Sequence, residues 1–95
     1  MLSYCFVKII GRVQGVGFRY FIFQNAKRLN LLGTVRNHID GSVEIEVEGK
    51  KNNIEILLEK IKIGPIESYI EEVQVEWKNY HNGYDGFKII KTTKK

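Results

Sequence analysis

The stretch Val43-Glu44-Ile45-Glu46-Val47-Glu48 constrains the fold of this chain more than any other. Successive strand residues point to opposite faces, so Val43, Ile45 and Val47 share one face and the three glutamates share the other. One buried face and one wet, acidic face is the pattern of an antiparallel sheet covered on a single side. Asp40-Gly41 marks a tight hairpin turn just before it, which makes the run 34–39 its antiparallel neighbour. Gly49 is read as the end of the strand.

Two amphipathic helices supply the covering layer. Phe18, Ile22, Ala26 and Leu29 recur at helical spacing, with Asn25 at the edge of the stripe and Gly33 as a helix stop or turn. Ile54, Leu57, Leu58 and Ile61 form the second stripe, preceded by Asn52 and Glu55 in capping-box spacing and stopped by Gly64-Pro65. Residues 4–12 and 69–78 read as strands, the latter with Val73, Val75 and Trp77 in one register and a bulge at Glu71-Glu72. A polar loop, 79–86, leads to a short last strand at 87–91. The order is strand, helix, strand, strand, helix, strand, plus one short strand. It predicts an α+β, ferredoxin-like βαββαβ sandwich: a mostly antiparallel sheet with both helices on one face. The 95 residues suffice for a single domain, 1–95, without linker or repeat.

Composition narrows the function classes. No apolar run approaches the ~20 residues of a membrane helix, and Met1-Leu2-Ser3 leads straight into a strand, so neither a membrane partner nor a secretory leader is expected. The single cysteine, Cys5, cannot form an internal disulfide and falls in strand register, which predicts a structural thiol in a reducing, cytoplasmic setting. A net charge of +4, from 15 basic and 11 acidic residues, draws small anions and is compatible with weak, nonspecific nucleic-acid contact. Of the basic residues near the C-terminus, Lys88, Lys91, Lys94 and Lys95, the last two read as a solvated tail. No Cys, His or carboxylate cluster has metal-ligand spacing.

Between the first strand and the first helix lies Gly11-Arg12-Val13-Gln14-Gly15-Val16-Gly17-Phe18-Arg19. Glycines let several backbone N–H groups converge, and a helix N-terminus adds its own, which together make an anion cradle. The glycines alone are equally compatible with a plain strand-to-helix turn. Arg19 favours the cradle: a cation at a helix N-terminus opposes the macrodipole unless an anion neutralises it, and its planar fork fits phosphate oxygens. The loop lacks the Gly-Lys-Ser/Thr ending of a P-loop and the third glycine of a dinucleotide fingerprint. Asn37 falls in register with Val35 and Ile39 on the apolar face, so its amide either borders a cavity or caps the hairpin turn. His38, His81 and the three glutamates read as solvated surface groups. Phe18, Tyr20, Phe21 and Phe23 have helical spacing, unlike the strand-borne platform of an RNA-binding sheet.

The loop from Gly11 to Arg19 resembles the first signature of the acylphosphatase family, G-x-V-Q-G-V-x-F-R, without a mismatch. Gly33, Val35, Asn37, Gly41, Val43 and Gly49 are similar to the second, and Gly64-Pro65 also fits. Thr34 stands where that family usually has an aromatic, a departure that bears on packing beside the site. The resemblance implies the ferredoxin-like fold and hydrolysis of a small acyl phosphate to carboxylate and phosphate, without metal or organic cofactor. It implies that Gln14, Gly15, Val16, Gly17, Phe18 and Arg19 bind the phosphoryl group and that Asn37 holds the attacking water. A related, larger family uses the same module at the start of a hydrogenase-maturation carbamoyltransferase; a chain ending after one module favours a stand-alone enzyme. A monomer without specific nucleic-acid binding is expected. The competing readings are a noncatalytic anion- or RNA-binding module of the same fold, and an interaction module using the acidic strand face or a sheet edge.

Overall fold

The computed structural model describes residues 1–92; Lys94 and Lys95 lie outside the described residues. The elements run β1 (Leu2–Arg12), α1 (Phe18–Arg28), β2 (Leu32–Asn37), β3 (Val43–Lys50), α2 (Lys51–Ile63), β4 (Tyr69–Lys78) and β5 (Phe87–Ile89). The sheet order is β4-β1-β3-β2-β5. Among the described residues, only the β2–β5 pair is parallel. Phe18, Ile22 and Ala26 of α1 and Ile54, Leu57 and Ile61 of α2 are buried with Cys5, Val7, Ile9, Val43, Ile45 and Val47 of the sheet. Each large apolar side chain removed from water in this way contributes about 1.5–3 kcal/mol, which is what docks the helices on one face. The α+β ferredoxin-like expectation is therefore borne out. The bulge is too: Ile10 faces Glu72 while Gly11 faces Ile70, leaving Glu71 as the extra residue.

Five local expectations are corrected. Gly33 does not stop α1. Leu31 N–H donates to the Ala26 carbonyl at 2.9 Å and Asn30 N–H to Lys27 at 3.1 Å, with Asn30 at φ 57°: a Schellman ending with asparagine in the left-handed position. Gly33 lies inside β2, where the backbone of β3 crosses too closely for a side chain. The Asn52–Glu55 capping box does not form, because α2 starts at Lys51 with Lys50 as its N-cap and no side-chain cap. Nor does Gly49 end its strand, which continues to Lys50, while the last strand stops early, at Ile89.

The fifth correction concerns the acidic face. Glu44 is 8% exposed and Glu48 0%, so this side of β3 is not wet. Residues 79–86 are hydrogen-bonded to it: Glu48 accepts from Gly83 N–H at 2.8 Å and His81 N–H at 3.4 Å, and the Tyr84 hydroxyl donates to Glu46. From within the sheet, Tyr4 donates to Glu46 at 2.9 Å, and Arg36 donates to Glu44 at 3.1 Å and to Glu46 at 3.2 Å. The alternation separated two faces correctly; charge alone did not reveal that a distant loop covers the polar one.

Candidate active site

The loop after β1 is held by its ends and its middle. Val13 and Phe18 are buried in the core. Gln14 Nε2 donates to the carbonyl oxygens of His38, at 2.8 Å, and Ser42, at 2.9 Å. These two bonds tie the loop to the β2–β3 hairpin and so bring it to the residue that follows Asn37. Gly15 and Gly17 both adopt φ 75°, and the space a Cβ would occupy on each is open. Gly17 is the N-cap of α1, with no side-chain cap and no acidic residue in the first turn. The first helical bond runs from Phe21 N–H to the Gly17 carbonyl at 3.0 Å, which leaves the N–H groups of Phe18, Arg19 and Tyr20 without intrahelical acceptors. Arg19 is half-buried as a residue, and among the described residues its guanidinium has no hydrogen-bond or ion-pair partner. The first turn of α1 thus carries an unpartnered cation together with unpaired donors at the positive end of the helix, a combination that attracts an anion.

Asn37 ends β2 opposite Val43. Its Oδ1 is buried and has no hydrogen-bond partner among the described residues. The hairpin turn is capped by another residue: Asp40 Oδ1 accepts from Ser42 N–H at 2.9 Å and from Ser42 Oγ at 2.6 Å. Lys8 Nζ reaches Asp40 Oδ2 at 2.7 Å and anchors the hairpin to β1. The Lys8 hydrogen bond, followed by those from Ser42, holds the Asp40 carboxyl well below the usual carboxylate range. His38 Nδ1 lies 3.0 Å from Asp40 Oδ1, so His38 belongs to this hairpin network and is not a free surface group. His81 is bound to the buried Glu48 through its backbone, its side chain remaining 58% exposed. Thr34 shares the face of Arg36 and opposes Glu46, on the side of β2 away from Asn37, so its departure from the aromatic pattern does not touch the wall carrying Asn37.

Sequence reasoning singled out both arms of this site but not what braces them. The bracing role of Lys8 had no signal, since an outward lysine on a strand is ordinary. That of Ser42 was detectable only as a short polar residue beyond the Asp-Gly turn. Among the described residues, no group of three or more His, Cys, Asp or Glu is arranged to hold a metal.

Taken together, the sheet order, the two helices on one face and the donor-rich loop at the start of α1 define a ferredoxin-like α+β domain with an anion cradle. The acylphosphatase family model matches residues 5–89. The acylphosphatase of Salinibacter ruber is 44% identical over 82 residues, covering 86% of each chain. The crystal structure of acylphosphatase from Bacillus subtilis superposes with a TM-score of 0.87 at 39% identity, covering 95% of this chain and 99% of that one. Full-length HypF, solved in a phosphate- and nucleotide-bound form, matches with a TM-score of 0.91 at 39% identity, but this chain covers only 12% of it. The chain belongs to the acylphosphatase family, hydrolases that act on acyl phosphates.

Proposed function

We propose that this chain hydrolyses acyl phosphates with the phosphoryl group seated on the N–H groups of residues 14–19 and on Arg19, while Asn37 orients the attacking water. The observation that carries this reading is the buried, unpartnered Asn37 Oδ1 at the end of the sheet to which Gln14 ties an uncapped, cationic helix N-terminus. A buried acceptor left unpaired costs about 1–3 kcal/mol, a cost a bound water would relieve. An acyl phosphate expels a carboxylate, already a good leaving group, so no general acid is needed. The water oxygen forms the new bond to phosphorus, the bond to the acyl oxygen breaks, and the bonding pair leaves on the carboxylate. In a loose transition state the negative charge spreads over three equatorial oxygens, which fixed N–H donors and a guanidinium stabilise without reorganising. Asparagine is too weak a base to take a proton, so its role is to place the water in line. Both protons of the water stay with the phosphate, which is released as the dihydrogen form and then equilibrates with solvent. The side chains of Gln14 and Phe18 are engaged elsewhere, and on this reading they contribute only backbone to the cradle.

Every group in this scheme comes from one chain, so a monomer suffices for catalysis. The free, buried thiol of Cys5 accords with a reducing cytoplasm. The carboxylate-rich face of β3 argues against nucleic acid on the sheet, because phosphates would meet like charge there.

The test is a spectrophotometric assay of aryl acyl phosphate hydrolysis, paired with inorganic phosphate binding. Arg19→Ala loses activity and phosphate affinity together, with the barrier rising by about 3–4 kcal/mol. Asn37→Ala lowers turnover while phosphate affinity is kept. Equal loss of phosphate binding in both variants refutes the division of labour.

A further inference from the structure

Strand β4 forms one edge of the sheet and spans 10 residues, whereas the opposite edge, β5, spans three. Its outer row of N–H and C=O groups is a template for another strand. On the helix side, Val75 and Trp77 are 38% and 41% exposed, and beside them a groove of about 320 Å³ runs between α2 and β4, floored by Leu58, Val73 and Val75. On the other side, Glu72 accepts from Gln74 Nε2 at 3.0 Å and Lys78 Nζ lies 5.8 Å from the centroid of the Phe6 ring, but neither has an ion-pair partner among the described residues. They are six residues apart, about 20 Å along a strand, so they cannot meet within one chain.

We propose that β4 is a self-association surface, pairing antiparallel with β4 of a second copy about a two-fold axis at Val75. An axis on a residue keeps the helices of both copies on the same face of the joined sheet, because directly opposed residues then share a face. Centred on Val75, the pairing sets Glu72 opposite Lys78 twice, Gln74 opposite Glu76 twice, and Val73 opposite Trp77 twice. Both charges gain an ion-pair partner, and the exposed apolar row is covered. Centring on Gln74 sets Glu72 against Glu76, and centring on Glu76 sets that residue against its own copy, so like charge disfavours both. The same side chains that deter indiscriminate edge pairing thus admit this register.

Sedimentation equilibrium on the full chain at rising concentration tests the proposal. The mass climbs from the 11.1 kDa of one chain toward twice that value. Glu72→Lys and Lys78→Glu each weaken association by about tenfold, and the double reversal restores it, since opposed charges reappear across the axis. Val75→Lys, which sets two lysines against each other, abolishes association. Acyl phosphate hydrolysis at nanomolar enzyme stays unchanged in all of these variants, which separates a failed interface from a failed fold. A mass constant to about 1 mM overturns the proposal, since edge contacts of this kind belong to the weak interface class. So does association indifferent to the single reversals, or a double reversal no better than either single one.

Discussion

At the scale of single residues, two glycines with similar signatures in sequence do different physical work. At Gly33 a Cβ would stand 1.8 Å from the Glu46 carbonyl oxygen, with φ at 142°. At Gly17 the same atom would meet open space, and only the φ of 75° resists it. Gly33→Ala is therefore expected to destabilise the fold by at least about 3 kcal/mol, since backbone of β3 must move. Gly17→Ala costs about 1–2 kcal/mol of local strain, and its larger effect falls on phosphate affinity through the bent cradle. Urea denaturation alongside phosphate titration separates the two. Neither distinction was legible in the sequence: a glycine in a strand and a glycine in a turn look alike until the neighbouring chain is placed. The register of Asn37 with Val35, by contrast, was legible, because strand alternation is a local property of the backbone.

At the scale of elements, the loop 79–86 acts as a strap across the outer face of β3. Burial opposes ionisation of Glu46, but hydrogen bonds from Tyr84, Tyr4 and Arg36 outweigh it and hold the carboxyl below its ordinary value. The same carboxylate, after burial, raises the Tyr4 hydroxyl to about 12 and pushes Tyr84 up further. A carboxyl whose pKa is lower in the folded state favours folding above the ordinary carboxylate range, and that contribution fades as pH falls through the folded value. Tyr84→Phe is expected to cost about 1 kcal/mol at neutral pH, discounted for partial solvent screening. The deficit shrinks as acid protonates Glu46 in both proteins. Urea unfolding across the acid limb, with NMR titration of the Glu46 carboxyl, checks the sign; a deficit growing in acid contradicts this account. The strap also bears on the site, because it delivers β5, whose following residue Ile90 donates to the Val35 carbonyl at 2.9 Å, two residues before Asn37.

At the scale of the whole molecule, Cys5 reports on cooperativity. It sits in β1, between β3 and β4, with its side chain buried in the core, and burial pushes its thiol up to about 12. Reaction with a thiol reagent needs both exposure and thiolate, and the native core supplies neither. Labelling of Cys5 is expected to follow the global unfolding equilibrium measured by denaturant, not any local opening. Labelling much faster than that equilibrium allows would show that β1 can open separately.

What the sequence determined by itself is what depends on neighbours along the chain. Alternation and helical spacing set which residues of each element share a face. The order of elements set the sandwich, and the paired signatures around Arg19 and Asn37 set the family. What only the tertiary structure decided depends on residues far apart in the chain. Glu48 is covered because residues 79–86 return across β3, while Glu44 is paired with Arg36 of the neighbouring strand. Gly33 is required because β3 crosses it, and Gln14 becomes a strut because the hairpin offers it two carbonyls. Periodicity reports that two faces differ. Which of them meets water is fixed by packing, an interaction among segments that no local pattern encodes.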